Sequence, residues 1–372
     1  MLKTFKIRLL PKKSQKRLMS QWLEECRLLY NSFLTERNIA WEKEKKSVNY
    51  HSQAVSLVTR KNEKEVLTQI HSQVLQNVAV RVDLAYKAFF RRIKAKEKPG
   101  FPRYKGFGRY DSFTFPQGGY SLIDDLLTLS KIGNIKAIVH RPVLGKVKSC
   151  TIRRINEKWY ACFSCEIENE LLPAINKSVG IDMGIENFAT LSDASIVANP
   201  KFFKQESKSL AKAQRKLSKL TRGTKERAKA KKVVIKIHER ISNRRNNFAH
   251  QESRRIINSY DTICIEDLSI NKMLSKGHRC LNRNIADAAW SSFTQFLSYK
   301  AEYAGRKIVK VNPAYTSQAC SKCGHRHKME LSNRVFLCPC CGFSSHRDLN
   351  ASVNILSLGL QALDANPRSR LL

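Results

Sequence analysis

The 372 residues carry 68 Lys and Arg against 31 Asp and Glu, a formal charge of +37 that a compact protein sustains with a polyanion beside it, so nucleic acid is the expected partner. A histone-like or ribosomal binder would share the charge but would not place acidic residues inside apolar strands or carry paired cysteines. Nothing approaches the roughly 18 consecutive apolar residues of a membrane span, and the start reads as a strand instead of a signal peptide, so a cytoplasmic, nucleoid-associated protein of two to four compact units is expected.

Residues 2 to 10 alternate apolar and polar until Pro11, after which Leu18, Trp22, Leu23, Cys26, Leu29 and Tyr30 recur at helical spacing. Further helical patterns cover roughly 50–60 and 64–95, the latter with Leu75, Val78, Val82, Leu84, Ala85, Ala88 and Phe89 as its inward face. From Lys98 to Gly108 two prolines and three glycines exclude helix, and the segment mixes aromatic rings with cations. It is either a loop touching nucleic acid or an ordinary linker. Strand patterns follow at Ser112 to Phe115, Leu126 to Leu129, Ile135 to Val139, Val147 to Ile152 and Trp159 to Glu166. These predict a small barrel or curled sheet, which the first strand joins around the inserted helices. Leu171 to Lys177 then reads as a hinge.

The second half opens with the strand Val179-Gly-Ile-Asp-Met-Gly184 and a second strand from Phe188 to Leu191. Residues 205–258 are helical apart from a break at Arg222-Gly223-Thr224, with Leu210, Leu217 and Leu220 forming one stripe and Val233, Ile237, Ile241 and Phe248 another. Outside those stripes Lys and Arg dominate, and acidic residues are too few to lace the helices with ion pairs, which favours phosphate contact. Thr262 to Ile265 predicts a buried strand, Asn284 to Gly305 a helix and Arg306 to Val311 another strand, an α/β alternation.

Asp182 and Glu266 each end an apolar strand, where an isolated charge is costly. Side by side in one sheet, they would share one or two Mg²⁺ or Mn²⁺ ions suited to phosphodiester hydrolysis. Asp348, at the start of a predicted helix, is either a helix cap or a third ligand. Glu186 and Asp267 are lesser rivals, the first beyond the turn and the second on the opposite strand face. Of the eleven cysteines, Cys320, Cys323, Cys338 and Cys341 form two Cys-x-x-Cys-Gly knuckles with fourteen residues between the pairs, the donor set of tetrahedral structural Zn²⁺. Cys340 could in principle replace a neighbour, whereas His325, His327 and His346 find no vacancy beside four thiolates.

The blocks Gly180-Ile-Asp-Met-Gly184, Ile265-Glu-Asp-Leu268, Asp287-Ala-Ala-Trp290, Tyr299-Lys300, Gly305-Arg-Lys307, Val311-Asn-Pro313, Thr316-Ser-Gln318 and Arg347-Asp-Leu-Asn-Ala351 together resemble those of TnpB, the OrfB-type proteins of insertion sequences. Phe5 to Pro11 and Gly100 to Tyr104 fit less distinctively. The resemblance implies an RNA-guided DNA endonuclease related to miniature type V CRISPR effectors, with a RuvC triad on Asp182, Glu266 and Asp348. His346 departs from relatives, which often carry an acidic residue two before the aspartate.

The implied architecture is multidomain α/β plus α+β. A wedge-like β-barrel (1–10 and 98–172) is interrupted by a helical recognition domain (11–97). A RuvC/RNase H-like mixed sheet with helices (173–319 and 343–372) carries a zinc ribbon insertion (320–342). The implied partners are a guide RNA and double-stranded DNA bearing a short adjacent motif, met by Tyr50, Ser72, Gln76 and Thr114, with a functional link to a transposase. Two other readings are a guide-bound DNA regulator or transposition accessory that does not cut, and a DNA strand transferase.

Overall fold

The computed structural model describes residues 1–330 and 333–365. Residues 331–332 of the expected zinc ribbon and 366–372 of the expected nuclease domain lie outside them. The chain divides into two compact units, Met1–Glu168 and Asn169–Leu372.

The first unit begins with β1 (Leu2–Leu10) and a single long helix α1 (Lys13–Glu44). Then come α2 (Tyr50–Val55), α3 (Leu57–Glu63) and α4 (Ser72–Lys94). The expected helix over 64–95 is therefore shorter: Glu65–Gln69 is a 3₁₀ turn, whose tighter winding lets Leu67 and Ile70, three apart, both bury. Of the expected inward face of α4, Val78 and Val82 are buried but Leu84 is exposed, because it lies a third of a turn off their line. Six strands complete the unit: β2 (Ser112–Phe115), β3 (Tyr120–Ile123), β4 (Leu126–Leu129), β5 (Gly133–Ile138), β6 (Lys146–Ile155) and β7 (Lys158–Glu166). Sequence patterning missed β3, whose residues alternate between partly and fully exposed positions and so carry no buried face.

These strands form one antiparallel sheet in the order β2-β6-β7-β1-β5-β4-β3, with β1 seated between β7 and β5. The sheet curls enough to bring the rings of Phe115 and Tyr120, from its two edge strands, to 6.4 Å. Phe113, Phe115 and Phe163 point inward with Trp22 of α1, all of them at most 1% exposed.

The second unit is built on β8 (Ser178–Met183), β9 (Asn187–Leu191), β10 (Ile196–Ala198), a helical hairpin of α5 (Phe202–Ser218) and α6 (Lys225–Ser259), and β11 (Thr262–Glu266). After these come α7 (Ile270–Lys276), α8 (Arg279–Ala288), α9 (Trp290–Ala304), β12 (Lys307–Val311), the short ladder β13 (Val335–Leu337) with β14 (Ser344–His346), and α10 (Arg347–Ala365). The main sheet runs β10-β9-β8-β11-β12, antiparallel from β10 to β8 and parallel from β8 to β12. Both faces are covered, so β8 and β11 read as nearly unbroken apolar runs. Val179, Ile181, Ile263 and Ile265 face a core shared with Ile256 of α6 and Phe293 and Leu297 of α9, while Cys264 faces Ile355 of α10.

Two expectations are corrected here. The helix expected from Asn284 to Gly305 is two helices, because Ala289 takes a left-handed conformation (φ 55°), at a cost of about 1 kcal/mol. The break lets Ile285 and Ala288 bury from one axis and Trp290, Phe293 and Leu297 from another. In α6, Val233 is half exposed, and Val234 packs with Ile237 and Ile241 against Leu210 of α5 instead.

Candidate metal centres

Strand period brings the acidic residues together. On β8, Val179, Ile181 and Met183 face one core, so Gly180 and Asp182 face α10. On β11, Ile263 and Ile265 face that same core, leaving Cys264 and Glu266 toward α10. The parallel register aligns Ile265 with Ile181, so the next residues along, Glu266 and Asp182, emerge side by side at the carboxyl ends of their strands. Helix α10 reaches that edge with its first turn, which carries Asp348. Its close seating depends on Gly180, where a Cβ would stand 2.1 Å from the Ser352 carbonyl oxygen.

Burial and the neighbouring charges of Glu266 and Asp348 push the Asp182 carboxyl up to about 7, against a smaller opposing pull from Arg347. Burial also raises Glu266, offset in part by the Thr316 hydroxyl, which donates to its Oε1 at 2.6 Å. Asp348 is 8% exposed and accepts from the Arg347 guanidinium at 3.3 Å. Glu266 and Asp348 thus both oppose a charge on the buried Asp182, an electrostatic condition that a divalent cation relieves. Their oxygens are not gathered as tightly as those of a single-ion cage: among the described residues, the four thiols below are the one group of ligating side chains whose donor atoms all lie within 4.8 Å of one another. A wider spread suits two ions, which sit about 3.5–4 Å apart.

Asp348 is not the cap of α10. Its backbone N–H donates to His346 Nδ1 at 3.3 Å, so the histidine serves the helix end and the carboxylate stays with Asp182. Glu186 and Asp267 stand apart, exposed and paired with Arg334 and Lys310 respectively. Residue patterning did not single out Thr316, Asn350 or Asn354 as positioning groups. Asn350, 1% exposed, accepts from the Ser321 amide and donates to the Ala319 carbonyl, while Asn354 donates to the carbonyls of Thr316 and Ala319. The only sequence signal was their presence in or beside the family-like blocks.

Cys320, Cys323, Cys338 and Cys341 converge, with Cys320 and Cys341 sulfurs 3.7 Å apart and those of Cys323 and Cys338 3.6 Å apart. A tetrahedron of Zn–S bonds has edges of about 3.8 Å, so the donor set fits Zn²⁺. Gly324 and Gly342 close the two knuckles at φ 76° and 71°. The turns aim backbone amides at sulfur: His325 at Cys323, Phe343 at Cys341, and both Cys340 and Cys341 at Cys338. Cys340 and His325 are exposed and outside the cluster, and the half-buried His327 is outside it too.

The four residues expected at a DNA motif are only partly grouped. Ser72 and Gln76 lie one turn apart on the exposed side of α4, and Ser72 accepts from Lys61. The Thr114 hydroxyl is engaged by Arg81 and Thr151, and Tyr50 lies edge-on to His51. The helical hairpin displays exposed Lys208, Lys212, Lys216, Lys225 and Lys229, while its Glu206 is buried and held by Arg240 and Arg244.

Residues 162–276 match a family of IS605 OrfB proteins described as "Probable transposase", and residues 290–355 match a "Cas12f1-like, TNB domain". Residues 1–46 match a "Helix-turn-helix domain", although here they form β1 and the one helix α1. The chain is 32% identical to "Putative RNA-guided DNA endonuclease InsQ" of Escherichia coli K12, covering 96% of this chain and 92% of that protein. It is also 32% identical to a "Putative RNA-guided DNA endonuclease" of Streptomyces pristinaespiralis, over 97% and 90%. Among solved structures, a Cas12f1–sgRNA–target DNA complex superposes with a TM-score of 0.58 at 16% identity, covering 92% of this chain and 83% of that one. A mini-RNA-guided endonuclease, Cas-phi3, gives 0.51 at 11%, over 97% and 92%. At these identities the structural likeness concerns the fold, mixed α/β with helices around the sheets. No described helix is long and apolar enough to cross a membrane.

Proposed function

Because the chain belongs to the TnpB (OrfB-type) family, we propose that it is an RNA-guided DNA endonuclease whose hydrolytic site is the carboxylate trio Asp182, Glu266 and Asp348. The observation that carries the proposal is the electrostatic coupling of three acidic side chains from two strand ends and one helix start. That placement is the expected use of a RuvC/RNase H-like sheet, with the order β10-β9-β8-β11-β12. The assigned boundaries are 1–10 and 98–172 for a wedge, 11–97 for a recognition domain, 173–319 and 343–372 for the nuclease, and 320–342 for the ribbon.

Asp182, Glu266 and Asp348 would hold Mg²⁺ or Mn²⁺, which supplies an activated water and neutralises charge on the transferring phosphoryl group and the leaving 3′ oxygen. The chain's own contribution is preorganisation. Thr316 fixes one oxygen of Glu266, Arg347 restrains Asp348, and Asn350 and Asn354 hold the start of the ribbon to the helix that carries Asp348. Sequence selection would fall to guide pairing plus a short duplex motif, with Tyr50, Ser72, Gln76 and Thr114 proposed at that motif.

The test is cleavage of a matched linear DNA in Mg²⁺ by protein purified with its own RNA. Asp182→Ala should reduce cutting at least a thousandfold, on the order expected when the electrostatics of a metal site are lost, while leaving RNA copurification intact. Undiminished cutting by the variant would displace the triad. Guide-directed binding without cutting by the wild type would leave a DNA regulator.

A further inference from the structure

At the far end of the helical layer of the first unit, a cavity of about 450 Å³ lies outside every site described above. Its walls are aromatic: Trp41 from α1, Phe89 and Phe90 from α4, and Phe101 from the loop over 98–108. Trp41, Phe90 and Phe101 are 57%, 59% and 52% exposed, so three large rings turn flat apolar surface to solvent at one place. The floor is polar. The Tyr86 hydroxyl donates to Asn38 Oδ1 at 2.7 Å, and the Arg37 guanidinium lies over the Tyr86 ring while paired with Asp83.

The loop is a built wall. Lys105 exchanges backbone hydrogen bonds with the Asn31 amide group and accepts from Arg27, and the Tyr104 hydroxyl is held by Thr35 and Asn38. Phe101 is locked edge-on between Tyr86 and Phe89. The rim is cationic in balance: exposed Arg91, Arg92 and Lys94 end α4, Arg92 reaches toward Gly100, and Lys45 and Lys46 follow α1, Lys45 lying over the Trp41 ring, against one exposed carboxylate in the lining, Glu42.

A purely apolar protein partner would gain nothing from that rim. A phosphodiester chain would, since its backbone follows the cations while an unpaired base enters the rings. We propose that this cavity captures an unstacked base of single-stranded RNA, with Trp41 and Phe90 as the stacking surfaces and the end of α4 as the phosphate rail. The proposal rests on the guide-RNA part of the function above and is independent of cleavage chemistry. The cavity volume lies in the range of ligand sites, roughly 300–1,000 Å³.

All four tryptophans emit, but Trp22, Trp159 and Trp290 are at most 4% exposed and cannot stack on a base, so the contact-quenched part of the emission reports on Trp41. Titrating the full-length protein, freed of copurified RNA, with a short oligouridine should quench that emission. An abasic oligonucleotide of equal length and charge should bind at least tenfold more weakly and leave the emission unchanged. Trp41→Ala should abolish the quench, and Phe90→Ala, which keeps the fluorophore, should weaken oligouridine binding roughly tenfold to a hundredfold, the range for loss of one stacking ring. Asp182→Ala should cut nothing yet quench as the wild type does, so the pocket and the nuclease site fail separately. Equal affinity for the abasic strand, or wild-type binding by Phe90→Ala, would overturn the proposal. So would sedimentation showing that the free protein self-associates through this face and that Trp41→Ala dissolves the dimer.

Discussion

Asp182 ties the stability of this chain to pH. In the metal-free protein its carboxyl keeps a proton up to about pH 7, whereas in the unfolded chain it ionises near pH 4. Between those values the folded state binds more protons, so stability falls as pH rises through that window. Asp182→Asn should flatten the slope and stabilise metal-free protein at pH 8 by about 2 kcal/mol, less than the full shift because the side chain keeps some solvent contact. Thermal unfolding in Mg²⁺-free buffer, with the ribbon zinc left in place, at pH 5 and pH 8 measures this, and parallel curves for both proteins would refute it. For the wild type, added Mg²⁺ should restore stability at the higher pH. Asp182 and Glu266 were legible in the sequence because a charge closing an apolar strand is anomalous by itself. Asp348 was not legible from residue chemistry alone, since an aspartate beginning a helix has a routine explanation; the family resemblance named it, and the fold gives the helix-end contact to His346 and brings the carboxylate near Asp182.

At the scale of elements, α10 shapes the proposed site, because its first turn carries Asp348 and its body packs on β8 and β11. That packing passes through two glycines. A Cβ at Gly359 would stand 2.2 Å from the Cys264 sulfur, so Gly359→Ala should cost about 1–3 kcal/mol in chemical denaturation, and Cys264→Ala in the same chain should recover part of it. Full stability in the single variant would mean that the helix seats elsewhere. The ribbon has its own test: native mass spectrometry should find near-stoichiometric zinc, and Cys320→Ser should lose both the metal and thermal stability. The Cys-x-x-Cys-Gly knuckles were visible in sequence because four ligands and two turns are encoded locally. The bend at Ala289 and the strand Tyr120–Ile123 were not. No glycine or proline marks the first, and no buried face marks the second, so tertiary packing alone decides them.

For the whole molecule, the excess of cations over acids sets how it holds nucleic acid. Affinity for single-stranded RNA should fall by on the order of 10³ between 50 and 200 mM salt if about seven phosphates are neutralised. Anisotropy titrations at several salt concentrations read the slope, and a flat dependence would show that the charge serves something else. Charge and class of partner were readable from composition. Which cations line a groove was not, because the same lysines on a hairpin serve equally as a solvated face until the exposed rows on α5 and α6 are seen. The placement of β1 has a consequence in time. β5 pairs only with Arg8 to Leu10, whereas Leu2 to Leu9 pair with β7, so most of β1 must wait for β7. At ribosomal speeds of about 5–20 residues per second, β1 is left without its partner for roughly 10–30 s, with Phe5, Ile7 and Leu9 uncovered. The helices between them, closed by local contacts, can form within that interval. Synthesis thus imposes an order in which the inserted layer matures first, and truncation of the nascent chain before residue 158 leaves an aggregation-prone strand in place of a sheet centre.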